Sequence, residues 1–349
     1  MSVTPADHAR NVKPADPVVI RVEGGTLDTV EVTGPDGKPV AGTVRQDRFT
    51  PEHPLAVSTT YGLTVKVKGR DGRPTEQRTS FRTLAPEKTS KVTVLPLDGR
   101  TVGVGQPLSL AFDHPVKDKA AVERRLNVTT DNHTVGSWGW VTDTTTGQQR
   151  VDWRPKDYWK PGTKVTLTAD LNGVDTGGGR YLTRSYTTSF TIGHSRIAKV
   201  DLDNHRLTLV RDGKPTKTVP ISGGSPEHAT WNGKMTLMAK EGTIRMNSRT
   251  VGLGAAYDLI VPRAMRLTTS GTYAHQADWA ESYIGKANKS HGCIGLTAKD
   301  ATWFYDQVQV GDLFEVSGGK ETVAAGNGFG EWNLPFEQWQ AKSALHRAG

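Results

Sequence analysis

A chain of 349 residues is too long for one small core, so two or three domains are expected. The excess of basic over acidic groups is 44 − 36 = +8, spread along the chain. This argues against a nucleic-acid-binding patch and suits an anionic partner such as a bacterial wall rich in carboxylates and phosphates. One cysteine excludes a disulfide scaffold and a cysteine-type zinc site, and no run approaches the roughly 18 apolar residues of a membrane span. No hydrophobic signal core follows Met1. The polar stretch ending in Lys13-Pro14-Ala15-Asp16-Pro17 reads as the start of a trimmed mature chain, with residues 1–16 as an N-terminal tail.

With 38 glycines and 19 prolines, the chain favours short strands and tight turns over long helices. Val18 to Val22 and Thr29 to Val32 read as strands, and Pro35-Asp36-Gly37 as a hairpin-type turn. Leu63 to Lys68 alternates apolar and polar, and Asp71-Gly72 turns the chain again. Ser80 to Thr83 closes a first β-sandwich over 17–86, and Ala85 to Lys88 is a linker. A second sandwich over 90–194 contains strands at Lys91 to Val94, Leu108 to Phe112 and Val165 to Ala169, and a short helix within Asp118 to Leu126. Its closing strand, Thr188-Ser189-Phe190, repeats Thr79-Ser80-Phe81, which makes the two units look like tandem immunoglobulin-like modules. Trp138, Trp140, Trp153 and Trp159 read as core, with a carbohydrate-stacking surface as the lesser alternative.

A third unit, 195–318, opens with strands at Lys199 to Leu202 and Leu207 to Val210 and turns at Asp212-Gly213 into Thr218 to Ile221. Asp300 to Gln307, led by Thr297, reads as an amphipathic helix with Ala301, Phe304 and Tyr305 inward, and Leu313 to Val316 as the final strand. The tail 319–349 carries Trp332, Phe336 and Trp339. The spacing of the last two suits one helical face, expected to pack on the third unit.

The lone thiol sits in Ser290-His291-Gly292-Cys293-Ile294-Gly295, a polar glycine-bearing stretch, and loops of that kind carry function. Gly292 permits unusual torsions, and consecutive N–H groups at His291, Gly292 and Cys293 could converge as an oxyanion hole. A thiol reacts as thiolate, which a nearby imidazole favours. His291 is tied to the same turn, whereas His275 ends an expected strand and can face the sulfur from a rigid neighbour. A metal site of His275, His291 and Cys293 is the weaker reading, because no carboxylate partner is legible. His8, His53, His114, His133, His194, His205, His228 and His346 receive no role.

The run His275…Ser290-His291-Gly292-Cys293, with a separation of 293 − 275 = 18, resembles the signature of the YkuD-type L,D-transpeptidases. So do Ser270-Gly271, Ala277-Asp278-Trp279, Ala301 to Tyr305 and Gly311-Asp312. Asp152 to Trp159 and Gly173-Val174-Asp175 resemble the second immunoglobulin-like domain of the actinobacterial members, and Glu331 to Pro335 with Gln338-Trp339 their C-terminal extension. The resemblance implies a mainly β chain, with two immunoglobulin-like β-sandwiches ahead of a β-rich catalytic domain. It further implies that Cys293 attacks an L-to-D peptide bond to give a thioester, with His275 as base and the Gln276 carbonyl orienting the imidazole. Met246 and Tyr257 would line the substrate channel, with Trp279, Ser290 and Gly295 beside it. Gly295 departs from the asparagine common there, which removes side-chain hydrogen bonds to substrate.

On this resemblance the expected function is 3→3 cross-linking of peptidoglycan stem peptides outside the cytoplasm, at the cell wall, without a cofactor. Carbapenem β-lactams are the expected inhibitors. An L,D-carboxypeptidase and a non-catalytic wall-binding protein are the alternatives. The Asn-X-Ser/Thr triplets at Asn127, Asn132 and Asn288 are weak signals for glycosylation, the last lying in the catalytic loop.

Overall fold

The computed structural model describes residues 1–252 and 254–345; His346 and the rest of the C-terminus lie outside them. Strands dominate, and they fall into two sandwiches followed by a two-sheet domain. In the first sandwich, Leu63, Val65 and Val67 point inward from strand Thr60–Gly69, beside Ile20, Phe49 and Phe81. This is the period-2 burial that the alternation predicts. Residues 1–16 are not a tail. Ser2–Thr4 pairs with Val18–Arg21 and Ala9–Val12 pairs with Pro74–Thr83, so each sheet gains an edge strand. Edge strands are half-solvated and need no strong apolar alternation, which is why these polar residues do not read as strands.

In the second sandwich one sheet runs Val92–Leu95, Leu108–Phe112, Gln149–Pro155, Gly136–Thr142. Trp140, Trp153 and Trp159 are buried. Trp153 packs on Trp159 with ring centres 5.2 Å apart, and Trp140 on Phe112 at 5.7 Å, so these rings are core and not a sugar-stacking face. The expected helix spans Lys119–Glu123, capped by the Asp118 carboxylate on the Ala121 N–H. The chain divides into two compact units, one comprising residues 1–92, 116–127 and 168–187 and the other 93–115, 128–167 and 188–349. The latter holds much of the second sandwich together with everything that follows it.

In the third domain, one sheet orders Lys214–Pro220, Arg206–Arg211, Arg196–Asp201, Leu313–Ser317 and Gly233–Thr236. The other orders Ala239–Asn247, Asp258–Arg266, Tyr273–Gln276 and Ile294–Leu296. Helix Ala298–Gln307, capped by Thr297, drives Ala301 and Phe304 into the core between them, while Tyr305 stays half-buried.

The extension packs on this third domain, as expected, and on the second sandwich as well. Asn333 binds the third domain, bridging the N–H and carbonyl of Lys234 at 2.8 Å each. The helix Phe336–Gln340, however, seats on the second sandwich. The Trp339 indole donates to the Ser137 carbonyl at 2.9 Å and fills the space left by the missing side chain of Gly139. The Trp332 indole likewise reaches the Gly105 carbonyl at 2.8 Å. A buried indole needs both apolar contact and an acceptor, and the sandwich strands provide the two together.

The strand Gln149–Pro155 carries part of a buried ionic cluster. Arg150 binds Asp152 at 2.6 Å, and the fully buried Glu331 carboxylate lies close by with no hydrogen-bond donor. Burial, reinforced by Asp152, pushes Glu331 well above the usual carboxylate range. A raised folded-state carboxyl keeps its proton where the unfolded chain has lost it, so stability falls as pH rises from the ordinary glutamate value toward the raised one. Glu331→Gln, a mimic of the protonated acid, is expected to flatten that decline. It should raise the melting temperature by about 2–4 °C at the alkaline end for each kcal/mol regained, read by thermal unfolding across pH.

Candidate active site

Two neighbouring strands bring the key residues together. Tyr273–Gln276 runs parallel to Ile294–Leu296, with His275 in register with Gly295. Cys293 precedes the second strand and His275 lies in the first, so both face one cavity of about 430 Å³. Met246, Tyr257, Trp279, Ser290, His291 and Gly295 line the same cavity. The residues singled out from the sequence therefore converge, except that Gln276 acts through its backbone and Gly292 serves the turn.

The His275 ring is buried, and its Nδ1 lies 2.7 Å from the Gln276 carbonyl oxygen. A carbonyl only accepts, so Nδ1 carries the hydrogen and Nε2 is the free base. The Gln276 side chain is engaged elsewhere, donating to Asp278 at 2.7 Å and receiving from Arg263 at 3.3 Å. The Trp279 ring stacks on the imidazole, 5.8 Å between centres at 24°. Burial lowers the His275 pKa, with the Gln276 carbonyl partly opposing it.

The sulfur of Cys293 is held by two backbone groups. Its S–H donates to the Gly271 carbonyl at 3.7 Å, and the Tyr273 N–H reaches it from the next strand. Burial outweighs that N–H and pushes the thiol up to about 11. Burial thus opposes charge on both the thiol and the imidazole.

His291 is exposed, its ring flanked by those of His228 at 5.0 Å and 28° and Tyr257 at 5.2 Å and 53°. It forms cavity wall, while His275 occupies the strand. Gly292 adopts φ +109°, a torsion that side chains resist, and its N–H is taken by Ser290 Oγ at 3.2 Å. The Ser290 hydroxyl in turn donates to the Cys293 carbonyl at 2.6 Å, locking the turn. A side chain at Gly295 would bring its Cβ to 3.1 Å from that of Ala277, so the departure from asparagine is matched by the packing around it.

Several contributors carry no sequence signal. Ser222 pairs with Gly295 through N–H to carbonyl contacts of 3.0 and 2.8 Å, and its hydroxyl holds the Ala287 carbonyl at 2.7 Å. The Asn288 amide accepts from the Gly223 N–H and donates to the Leu202 carbonyl, both at 2.8 Å. Tyr283 and Lys289 also line the cavity, and His228 backs His291. Only Asn288 and Lys289 could have been flagged, by adjacency to the Ser290-His291-Gly292-Cys293 run. Among the described residues no cluster of three or more metal-ligating side chains occurs.

Fold and cavity together define a class: immunoglobulin-like modules carrying a β-rich domain with a cysteine–histidine pocket. Residues 9–175 match the bacterial Ig domain family, and residues 195–316 match the L,D-transpeptidase catalytic domain (YkuD). L,D-transpeptidase 2 of Mycobacterium tuberculosis is 34% identical, over 99% of this chain and 85% of the relative. L,D-transpeptidase 5 of the same species is 34% identical, over 99% of this chain and 77% of the relative. A solved L,D-transpeptidase in complex with imipenem superposes with a TM-score of 0.56 at 34% identity, covering 66% of this chain and 100% of that one. The chain belongs to the L,D-transpeptidase family.

Proposed function

We propose that this protein cross-links peptidoglycan stems through an acyl-enzyme at Cys293. The observation that carries the reading is a single sulfur and an imidazole whose Nδ1 is pinned, lining one cavity. As the donor stem enters, the S–H proton passes to Nε2 of His275 while sulfur attacks the carbonyl of the L-to-D bond. The tetrahedral oxyanion is met by backbone N–H groups at His291 and Cys293, Gly292 being committed to Ser290. Collapse gives the thioester, and His275 returns the proton to the departing amine of the terminal D-residue. The side-chain amine of a diamino acid on a second stem then attacks the thioester, giving the 3→3 link and restoring the thiol. No cofactor takes part. Met246, Tyr257 and Trp279 form the walls that exclude water and seat the stem.

The domain scheme supports action at the cell wall, with the first sandwich, which includes the strands within 1–16, and the sandwich of 90–194 as spacers, the chemistry in 195–318 and the extension in 319–349. Among the described residues no helix is long and apolar enough to cross a membrane. Carbapenems fit the same chemistry, because opening their strained ring by sulfur gives a stable thioester.

The test is incubation with purified disaccharide-tetrapeptide and mass analysis of the products. Dimers formed with loss of one D-residue per link are the expected result. Tripeptide monomers alone would turn the reading to an L,D-carboxypeptidase, and unchanged substrate would leave a wall-binding protein.

A further inference from the structure

The two backbone groups that hold the sulfur belong to one short loop, 268–272, and the residue that follows it. The loop is closed on itself by the Thr272 N–H on Thr268 Oγ1 at 2.9 Å. From outside it is held by Asn327 of the extension, which is buried. Asn327 Oδ1 accepts from the Ser270 N–H at 3.0 Å and from Thr269 Oγ1 at 3.2 Å, and Nδ2 donates to Ser270 Oγ at 2.9 Å. Gly271, whose carbonyl receives the S–H of Cys293, is the next residue along.

Asn327 is itself held from the second sandwich. The buried Arg150 guanidinium donates to the Gly328 carbonyl at 2.6 Å and the Ala325 carbonyl at 3.2 Å, one on each side of Asn327. The Thr144 N–H donates to the Gly326 carbonyl at 3.0 Å. Gly328 passes so close to the loop that a Cβ there would lie 2.9 Å from the Leu267 carbonyl oxygen and 3.1 Å from the Thr268 Cα, at a φ of +71°. A series of buried and part-buried hydrogen bonds thus runs from a sandwich arginine through the extension to the sulfur's own contacts.

We propose that Asn327 is a positioning residue for the nucleophile: it fixes loop 268–272, and through it the second sandwich sets where the Cys293 sulfur sits relative to His275. The inference rests on the reading of Cys293 as the nucleophile. It gives the extension a role in chemistry besides its anchoring role, which Asn333 fulfils at a separate place.

The test compares Asn327→Ala with Asn327→Asp and Asn333→Ala in the full chain. Alkylation of Cys293 by iodoacetamide, followed by intact mass against pH, reads the sulfur without needing peptidoglycan. Turnover of the tetrapeptide reads the reaction. Asn327→Ala should slow alkylation at neutral pH and kcat by roughly 10- to 100-fold, with KM within about twofold, because small misplacement of a reacting group is costly. Its alkylation midpoint should move to higher pH as the Tyr273 N–H loses its hold on sulfur. Asn333→Ala should lower the melting temperature while leaving both rates unchanged. Asn327→Asp should restore them, since a carboxylate keeps both acceptor contacts and the Ser270 hydroxyl can turn to donate. If Asn327→Ala does not fold, the pair Thr269→Val with Ser270→Ala removes two of its three contacts from the loop side, leaving the Ser270 N–H bond, and should show a smaller kinetic defect in the same direction. Asn327→Ala matching Asn333→Ala in rate and midpoint, or no rescue by Asp, overturns the proposal. A shifted alkylation profile in a chain that never cross-links would keep the proposal and overturn the function.

Discussion

Cys293→Ala is expected to take up no mass from a carbapenem and to form no cross-linked dimer, while keeping its melting temperature within a few degrees of wild type. The loss in turnover should be at least about 10⁴-fold, the scale on which removing a covalent nucleophile acts. The fold should survive because the side chain is small and its polar contacts among the described residues, to the Gly271 carbonyl at 3.7 Å and the Tyr273 N–H, are weak ones. Cys293→Ser is expected to be nearly as inactive. A hydroxyl in this dry site is far harder to ionise than a thiol, and the thiol itself is already pushed up to about 11. Intact-protein mass with and without carbapenem checks both variants. An adduct on Cys293→Ala would place the nucleophile elsewhere, and no adduct on the wild type would remove the acyl-enzyme altogether.

What the sequence made legible follows from what is local. Alternation in Leu63 to Lys68 and the turns at Asp71-Gly72 and Asp212-Gly213 are short-range signals, and the strands they predict are present. The site was legible because one run of four residues holds the sulfur and the turn, and His275 lies only one strand away. Ser222, Asn288 and Asn327 act through partners far off in the chain, such as the Gly223 N–H for Asn288 and loop 268–272 for Asn327. No periodicity or turn preference encodes such pairs. The docking face of the extension was legible as a helical face carrying Phe336 and Trp339. The surface that receives it was not, because a hollow at Gly139 and a spare carbonyl at Ser137 exist only once the sandwich has formed. The surroundings of the thiol were not legible for a similar reason: the motif suggests an easily ionised sulfur, whereas burial raises its pKa, and burial is a property of the fold.

Removing the base should leave a different signature from removing the nucleophile. His275→Ala is expected to acylate about 10²–10⁴-fold more slowly near neutral pH, the usual range for loss of a positioned general base. Its rate should then climb with pH as the thiol ionises unaided, approaching wild type only toward the raised thiol value of about 11. In the wild type the acid limb should lie below the ordinary histidine value of 6.5, because burial lowers the His275 pKa and so keeps the base neutral in mildly acidic solution. Linkage sets the sign of the accompanying stability change. The unfolded chain takes up a proton on this histidine near its ordinary value, while the folded chain resists until lower pH, so stability falls as pH drops through that window. His275→Ala should lose that component, measurable as a flatter acid-side melting curve. Acylation rates followed by mass across pH decide the assignment. A His275→Ala profile parallel to wild type would show that the proton goes elsewhere, and His291, in the same cavity, would be the next residue to replace.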